Sequence, residues 1–295
     1  MQVSIQSLLS YGKPMFWRNR ERLIFILPLT IILGIIVFGV SKTLFMSLES
    51  EGTLSLANYI KVISDVEFKN AIIFSLKTAF IATLISLVLG LSFAMFLKRS
   101  KSKIIIKLLN VMPIFLPHLI VAMLIIVIFS QTGIISRLAY LFNFIDSSKE
   151  FIELVNDKHG IGVILVYVYK EFPFVAIVIY GIIISINEKE LLIAKSLKAS
   201  NFQIFSKIIF PKVLPMLLAL FMVLFIYSFS AYEIPSILGT SQTKALPVYI
   251  YYNYSNVMLG TKSYAMALNF IVILISFLFA LIIGLILNKI QRNHK

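Results

Sequence analysis

Six stretches of this chain run for close to twenty residues or more with scarcely a charge, and that feature decides what it can fold into. Leu23–Ser41 and Ala79–Leu97 carry no acid or base, and Leu108–Phe129 carries only His118. Ile161–Ile186 is interrupted by Lys170-Glu171 alone, while Val213–Tyr232 and Ser263–Asn288 are uncharged. A bilayer core about 30 Å thick is crossed by about 20 apolar residues in helical form. The runs lack the period-two alternation of barrel strands. Charged residues make up 14% of the 295, against about 25% in soluble domains. That is too little polar surface to clothe a soluble globular enzyme, and far too apolar for a disordered chain. The first run is too long for a signal-peptide core and has no small-x-small cleavage site close behind it, so it reads as a retained anchor. The expected fold is an all-α polytopic membrane protein with six transmembrane helices.

Basic residues in the loops set the expected orientation. Lys13, Arg18, Arg20 and Arg22 precede the first span, and Lys98, Arg99, Lys101, Lys103 and Lys107 follow the second. Lys189, Lys195, Lys198, Lys207 and Lys212 follow the fourth, and Lys289, Arg292 and Lys295 follow the sixth. With six spans these segments share one side, where 17 bases face three acids, against eight and eight opposite. Both termini are expected in the cytoplasm. The net charge of +14 is then mostly this asymmetry, and no nucleic-acid partner is implied. The external segment Gln131–Gly160 carries Asp146, Glu150, Glu153 and Asp157.

Much chemistry is absent from the sequence. There is no phosphate-cradling G-x-x-x-x-G-K-[ST], no H-E-x-x-H and no G-x-S-x-G. There is no Cys, and the three His stand at 118, 159 and 294, too scattered to suggest a metal site. No catalytic residues, cofactor or metal are expected.

The most informative loop is Asn187–Pro215. Ile193, Leu197, Phe202, Phe205 and Ile208–Ile209 recur at near-helical spacing with lysines between them, which fits two short amphipathic helices. Ser200 and Gln203 form an S-x-x-Q capping box, so a new helix should start near Asn201. Pro211 and Pro215 mark the entry to the fifth span. Such an element can lie on lipid headgroups. It can equally dock a cytoplasmic partner, with Ala194, Ala199 and Ser200 permitting close approach and Phe202 and Phe205 as anchors.

This loop resembles the EAA loop of bacterial ABC importer permeases that work with a substrate-binding protein. Glu190-Leu191 matches the lead-in, Ile193-Ala194 the Ala-Ala pair, and Ala199-Ser200 the residues after the family's Gly. Phe205, Ile208 and Pro211 match the rest. Leu192 departs from the family's Glu and Lys198 from its Gly, which leaves the bend to the Ser200 cap. The resemblance extends over roughly residues 55 to 290, through Leu56–Phe68, Ala94–Arg99 and Tyr167–Phe174. Tyr232-Glu233-Ile234-Pro235-Ser236-Ile237-Leu238-Gly239 resembles the subgroup moving polyamines, iron, thiamine or phosphonates. It implies an ABC type-1 permease fold in the bacterial inner membrane. It also implies a cytoplasmic ATPase dimer, a second permease subunit (a copy of this chain or another), and an extracytoplasmic binding protein. The implied layout is a cytoplasmic arm 1–22, a first span 23–48, an external loop 49–69, a core 70–290 with coupling loop 187–212, and a tail 291–295. Glu190, Leu191, Ala194, Lys198, Ala199, Ser200, Phe205 and Pro211 are the implied coupling residues. An ion-coupled secondary transporter and a membrane scaffold are the competing readings. The first often shows inverted repeats, and none is evident here.

A charge inside the bilayer is expensive and faces a partner or a cavity. Lys170 and Glu171, about ten residues into their span, either neutralise each other, pair across helices, or line a substrate path. His118, after Pro117, is a helix-packing hydrogen bonder or a path residue. Glu233 precedes Pro235 and Gly239, a sequence that breaks a helix, and broken spans are tolerated where they line a cavity or are covered by protein. An acid there would attract a cation such as a polyamine, or else hold a neighbouring helix.

Overall fold

The computed structural model describes residues 15–50, 52–100, 105, 116–240, 243–255 and 261–293. Among these, six segments are long and apolar enough to cross a bilayer: Ile26–Leu48, Val66–Arg99, His118–Leu141, Ile161–Ser185, Asn201–Ser230 and Lys262–Ile290. The six expected spans are thus found. Residues 108–115 of the third run lie outside the described residues, as do Lys13, Lys101, Lys103, Lys107 and Lys295.

Helix α1 (Met15–Leu48) is peripheral, with no part of its apolar window buried. It packs on α12 (Thr261–Asn293), the last span. The stretch expected as the loop after the first span, described at residues 49–50 and 52–69, carries short elements. It holds a hairpin of β1 (Glu49–Ser50) and β2 (Thr53–Leu54), helix α2 (Ala57–Ser64), and the first turn of α3 (Val66–Ser100). Asn58 on α2 donates to the Ser47 and Glu49 carbonyls at 3.1 and 3.0 Å, satisfying acceptors at the end of α1.

The centre is α3 packed on α6 (Ile161–Ser185), the broadest helix contact among the described residues. Small residues make the approach possible: Ala79, Ala82, Thr83, Ser86 and Ala94 are buried along α3. At Gly90 a Cβ would sit 2.4 Å from Val175 Cγ1, so only glycine fits there. Asp157 starts α6, accepting from the backbone N–H groups of His159 and Ile161 at 2.8 and 2.7 Å. This carboxylate at a helix N-terminus gives one of the four acids of Gln131–Gly160 a structural role. Pro173 sits buried within α6 without ending it.

Helices α4 (His118–Phe129) and α5 (Ile134–Leu141) form the third span, and α4 leans on α6. After α6 come α7 (Glu188–Ser196), α8 (Asn201–Ile204), a π turn over Phe205–Ile209, and α9 (Phe210–Ser230). Helix α9 packs between α3 and α12, where Phe225 meets Phe279 with ring centroids 4.3 Å apart. Helix α10 (Glu233–Leu238) and helix α11 (Leu246–Ser255) connect α9 to α12.

Candidate functional site

The loop between the fourth and fifth spans folds as two short helices meeting at a bend. Asn187 caps α7 by accepting from Lys189 N–H at 3.0 Å. At its other end Ala199 N–H donates to the Ala194 carbonyl at 3.0 Å, and Lys198 N–H to Lys195 at 2.9 Å. This is the paired termination that places its penultimate residue in the left-handed region, usually a glycine. Lys198 occupies that position with φ 56. The bend is therefore made without glycine, at about 1–2 kcal/mol for an L side chain, and it does not fall to Ser200 alone. Ser200 adds the expected capping box: Gln203 N–H donates to its Oγ at 3.2 Å, and its own N–H donates to Gln203 Oε1 at 2.8 Å.

Helix α8 does not stop at the membrane entrance. Its last turn widens into the π turn, in which Phe210 N–H reaches the Phe205 carbonyl. Pro211 has no N–H, and its ring would crowd the carbonyl four residues back, so a wider turn makes room for it. The result is one rod from Asn201 to Ser230. Glu190 on α7 and Lys212 on α9 close the angle with an ion pair of 2.5 Å.

The two proposed phenylalanine anchors separate. Phe202 is 75% exposed. Phe205 packs inward on Phe210, with ring centroids 5.8 Å apart, and joins Ala194, Ala199 and Leu191 against a core of Ile204, Ile209 and Val213. Phe205 and Ala194 thus brace the bend from within. Leu192, Ile193, Leu197 and Phe202 form its exposed apolar face.

At the far end of the rod the helix breaks. Ala231 turns extended, and Glu233 opens α10 after Tyr232, as the Glu-x-Pro sequence foretold. The break lines a cavity of about 480 Å³ together with His118 and Tyr227. His118 Nε2 and the Tyr227 hydroxyl are hydrogen-bonded at 2.9 Å. Glu233 and Lys170 both lie within electrostatic reach of His118. A neighbouring cavity of about 350 Å³ is lined by Tyr251, Tyr254 and Asn269, with Tyr232 in the wall between the two. Tyr232 and Tyr251 meet at 5.0 Å between ring centroids.

Of the four charged or polar path candidates, the fold brings His118 and Glu233 into one cavity. Lys170 stands nearby and donates to the Leu116 carbonyl at 2.7 Å, just ahead of α4. Glu171 lines neither cavity. It is buried where α3, α6 and α9 meet, and accepts from Ser228 Oγ at 2.5 Å. Ser86 stands beside it but directs its hydroxyl to the Ala82 carbonyl at 2.8 Å, leaving Glu171 Oε2 buried with no hydrogen-bond partner among the described residues. Lys170 and Glu171 therefore serve different neighbours rather than neutralising each other, because adjacent helical residues point about 100° apart. Neither Tyr227 nor Lys212 stands out in the sequence as a site residue. A tyrosine in an aliphatic span was a signal for the first, and nothing marked the second among the loop's lysines.

A further polar cluster sits between α2 and α3. Asp65 caps α3 through Glu67 N–H at 2.8 Å and accepts from the hydroxyls of Tyr249 on α11 and Tyr264 on α12. Burial alone would raise its carboxyl. The hydrogen bonds from Tyr249, Tyr264 and the Glu67 and Phe68 backbone outweigh that and hold it below the usual aspartate value. The N–H of Leu246 donates to Ser75 Oγ at 2.7 Å, pinning the start of α11 to α3.

Residues 86–292 match the family described as binding-protein-dependent transport system inner membrane component. The chain is 27% identical over 230 residues to a ferric transport system permease protein of Actinobacillus pleuropneumoniae, covering 76% of this chain and 32% of that protein. It is likewise 27% identical over 229 residues to a putative ferric transport system permease protein of Haemophilus influenzae, covering 76% of this chain and 35% of that one. The chain thus spans about a third of the length of the curated relatives it matches. In fold it is similar to a chain of a bacterial ABC transporter involved in the import of the acidic polysaccharide alginate. The TM-score is 0.74 at 17% identity, over 94% of this chain and 99% of that one. A second such structure, in complex with an alginate pentasaccharide-bound periplasmic protein, gives 0.71 at 18%, over 92% and 96%.

Proposed function

The chain belongs to the family of binding-protein-dependent transport system inner membrane components, and from that membership we propose that it is the pore-forming permease subunit of an ATP-driven importer. One observation carries the mechanism. The rod Asn201–Ser230 has the bent, exposed loop at one end and the His118–Glu233 cavity at the other. Closure of a cytoplasmic ATPase dimer on the α7–α8 bend would move α9 lengthwise or sideways as a unit. That movement shifts Tyr227 and the break at Ala231–Tyr232, opening the cavity to one side of the membrane and then the other. The chain itself supplies no nucleotide chemistry in this reading. Its partners are the ATPase pair, a second permease subunit and an extracytoplasmic binding protein, with both termini in the cytoplasm.

Glu233 in the cavity favours a cationic substrate. The relatives move the reading from a polyamine to iron: both carry ferric transport names, and neither names a polyamine. Ferric ion delivered by the binding protein is the substrate we propose.

The test uses the exposed face of the bend, because Ala194 and Phe205 also hold the loop together. Leu197→Glu and Phe202→Glu place charges on residues 78% and 75% exposed, where the fold has nothing to lose. Both variants should insert and remain folded, fail to copurify with the ATPase, and abolish uptake. Full uptake in the double variant would reject the docking face.

A further inference from the structure

Two cavities meet at the break in the fifth span, and one side chain belongs to both. Tyr232 lines the cavity of about 480 Å³ with His118 and Glu233, and the cavity of about 350 Å³ with Tyr251, Tyr254 and Asn269. Its ring meets that of Tyr251 at 5.0 Å between centroids, tilted by 55°. The ring pair stands at the join between the two volumes.

The two rings belong to elements that are held differently. Tyr251 rides on α11, which is pinned to the spans behind it. Leu246 N–H donates to Ser75 Oγ on α3 at 2.7 Å, and Tyr249 donates to Asp65, the carboxylate that also accepts from Tyr264 on α12. Tyr249 and Tyr251 are two positions apart, about 200° round the helix. One is buried against that junction, and the other is turned out to meet Tyr232. Tyr232 belongs to the opposite side of the seam. It follows the rod Asn201–Ser230 after a single extended residue, Ala231, and its carbonyl accepts from Ser236 N–H in α10 at 3.0 Å. Among the described residues no hydrogen bond or ion pair joins α9 or α10 to α11. Phe225 and Phe229 of α9 share an apolar core with Leu246 and Ile250 of α11. Apolar contact is non-directional, so such a seam can slide without breaking a bond.

We propose that Tyr232 and Tyr251 form the gate between the two cavities, shut in this structure by their ring contact and opened when α9 draws Tyr232 away from α11. The inference rests on the moving rod proposed above and names what that rod opens at its far end. Movement of α9 carries one ring of the pair, while the Ser75 and Asp65 bonds keep the other in place. Aromatic rings suit the role. Each is a rigid plate, and a ring pair adds only modestly to the apolar area it buries, so it closes a path and still parts in every cycle.

The chain has no Cys, so a pair introduced into it is the only one it carries. The experiment assembles Tyr232→Cys combined with Tyr251→Cys with the ATPase in proteoliposomes. A short bis-methanethiosulfonate joins the two thiols, and dithiothreitol releases them. Uptake is read as radioactive ferric ion delivered by ferric-loaded binding protein, and ATP hydrolysis is read on the same vesicles. Copurification with the ATPase checks the fold, and mass spectrometry of the peptides checks the link. Linking should lower uptake at least roughly ten-fold, as expected when a required conformational step is blocked, and reduction should restore it. Each single variant, treated alike, should keep its uptake. A linked complex that imports as fast as the unlinked one would overturn the gate and leave the ferric reading standing. Failure of the link to form would also overturn it, because the two side chains would not be in contact. A wild-type complex that imports no ferric ion would overturn the ferric reading alone. Hydrolysis then decides the gate: a fall on linking that dithiothreitol reverses supports it, and an unchanged rate overturns it.

Discussion

Glu190 and Lys212, twenty-two residues apart, meet at 2.5 Å and lock α7 against the first turn of α9. Both side chains are close to half exposed, 46% and 41%, so the pair adds at most about 1 kcal/mol to stability. Its effect is on the angle of the bend rather than on the fold. Glu190→Lys or Lys212→Glu should each lower uptake per ATP hydrolysed while moving the thermal unfolding temperature little. The double reversal should restore coupling. Uptake and hydrolysis measured on the same vesicles decide this, and a double variant as uncoupled as the singles would remove the pair from the coupling mechanism.

Lys198 holds a left-handed conformation that favours glycine. Lys198→Gly should therefore stabilise the loop by about 1 kcal/mol, and Lys198→Val should destabilise it by more, because a β-branched side chain crowds that region. Resistance of the α7–α8 segment to limited proteolysis reports the change locally. Equal resistance in wild type and Lys198→Gly would mean the bend is not left-handed in solution.

How much of this was readable in advance follows from the range of the interactions. The spans, the break at Glu233 and the Ser200 capping box are local patterns, and each was legible. The Ser200–Gln203 pair lies within one turn, and the Glu-x-Pro break acts on its own backbone. The partners of Lys170 and Glu171 were not legible, because they depend on which helices stand beside α6: Leu116 lies 54 residues away and Ser228 lies 57. The two phenylalanines of the loop look alike in sequence. They differ because Phe205 packs on Phe210 and against the core of Ile204, Ile209 and Val213, whereas Phe202, one turn earlier, lies outside that packing. The backbone at Lys198 overrode residue preference, since the paired hydrogen bonds closing α7 require the bend whichever residue occupies it.

Asp65 gathers α3, α11 and α12 through Tyr249 and Tyr264, and its carboxyl lies below the usual aspartate value in the fold. A depressed pKa means the carboxylate's stabilisation is complete above the unfolded value of about 3.9. It is lost as pH falls through the lower folded value. Acidifying from about pH 7 to about pH 5 should leave this junction unaffected, and unfolding temperature should fall only below about pH 4. Asp65→Asn should lower that temperature at neutral pH and remove part of the acid-dependent fall. A wild-type loss already complete near pH 5 would place the carboxyl above its ordinary value and contradict the tyrosine contacts.

Glu171 is expected to act on stability and not on the transported ion. It is walled in by α3, α6 and α9, meets Ser228, and leaves Oε2 without a partner among the described residues. Tyr167, one turn earlier on the same helix face, likewise has a buried hydroxyl with no partner among the described residues. Glu171→Gln keeps an acceptor for Ser228 at nearly constant shape and leaves no carboxylate charge to bury, so this variant should unfold at the same temperature as wild type or higher. Glu171→Ala removes the acceptor and opens a void, and should lose about 2–5 kcal/mol, the range for truncating a large buried side chain. Uptake normalised to assembled complex should be unchanged in Glu171→Gln, whereas Glu233→Gln should reduce it without altering unfolding. Those opposite responses separate the packed carboxyl from the one in the cavity. A Glu171→Gln complex of full stability but reduced normalised uptake would return Glu171 to the substrate path.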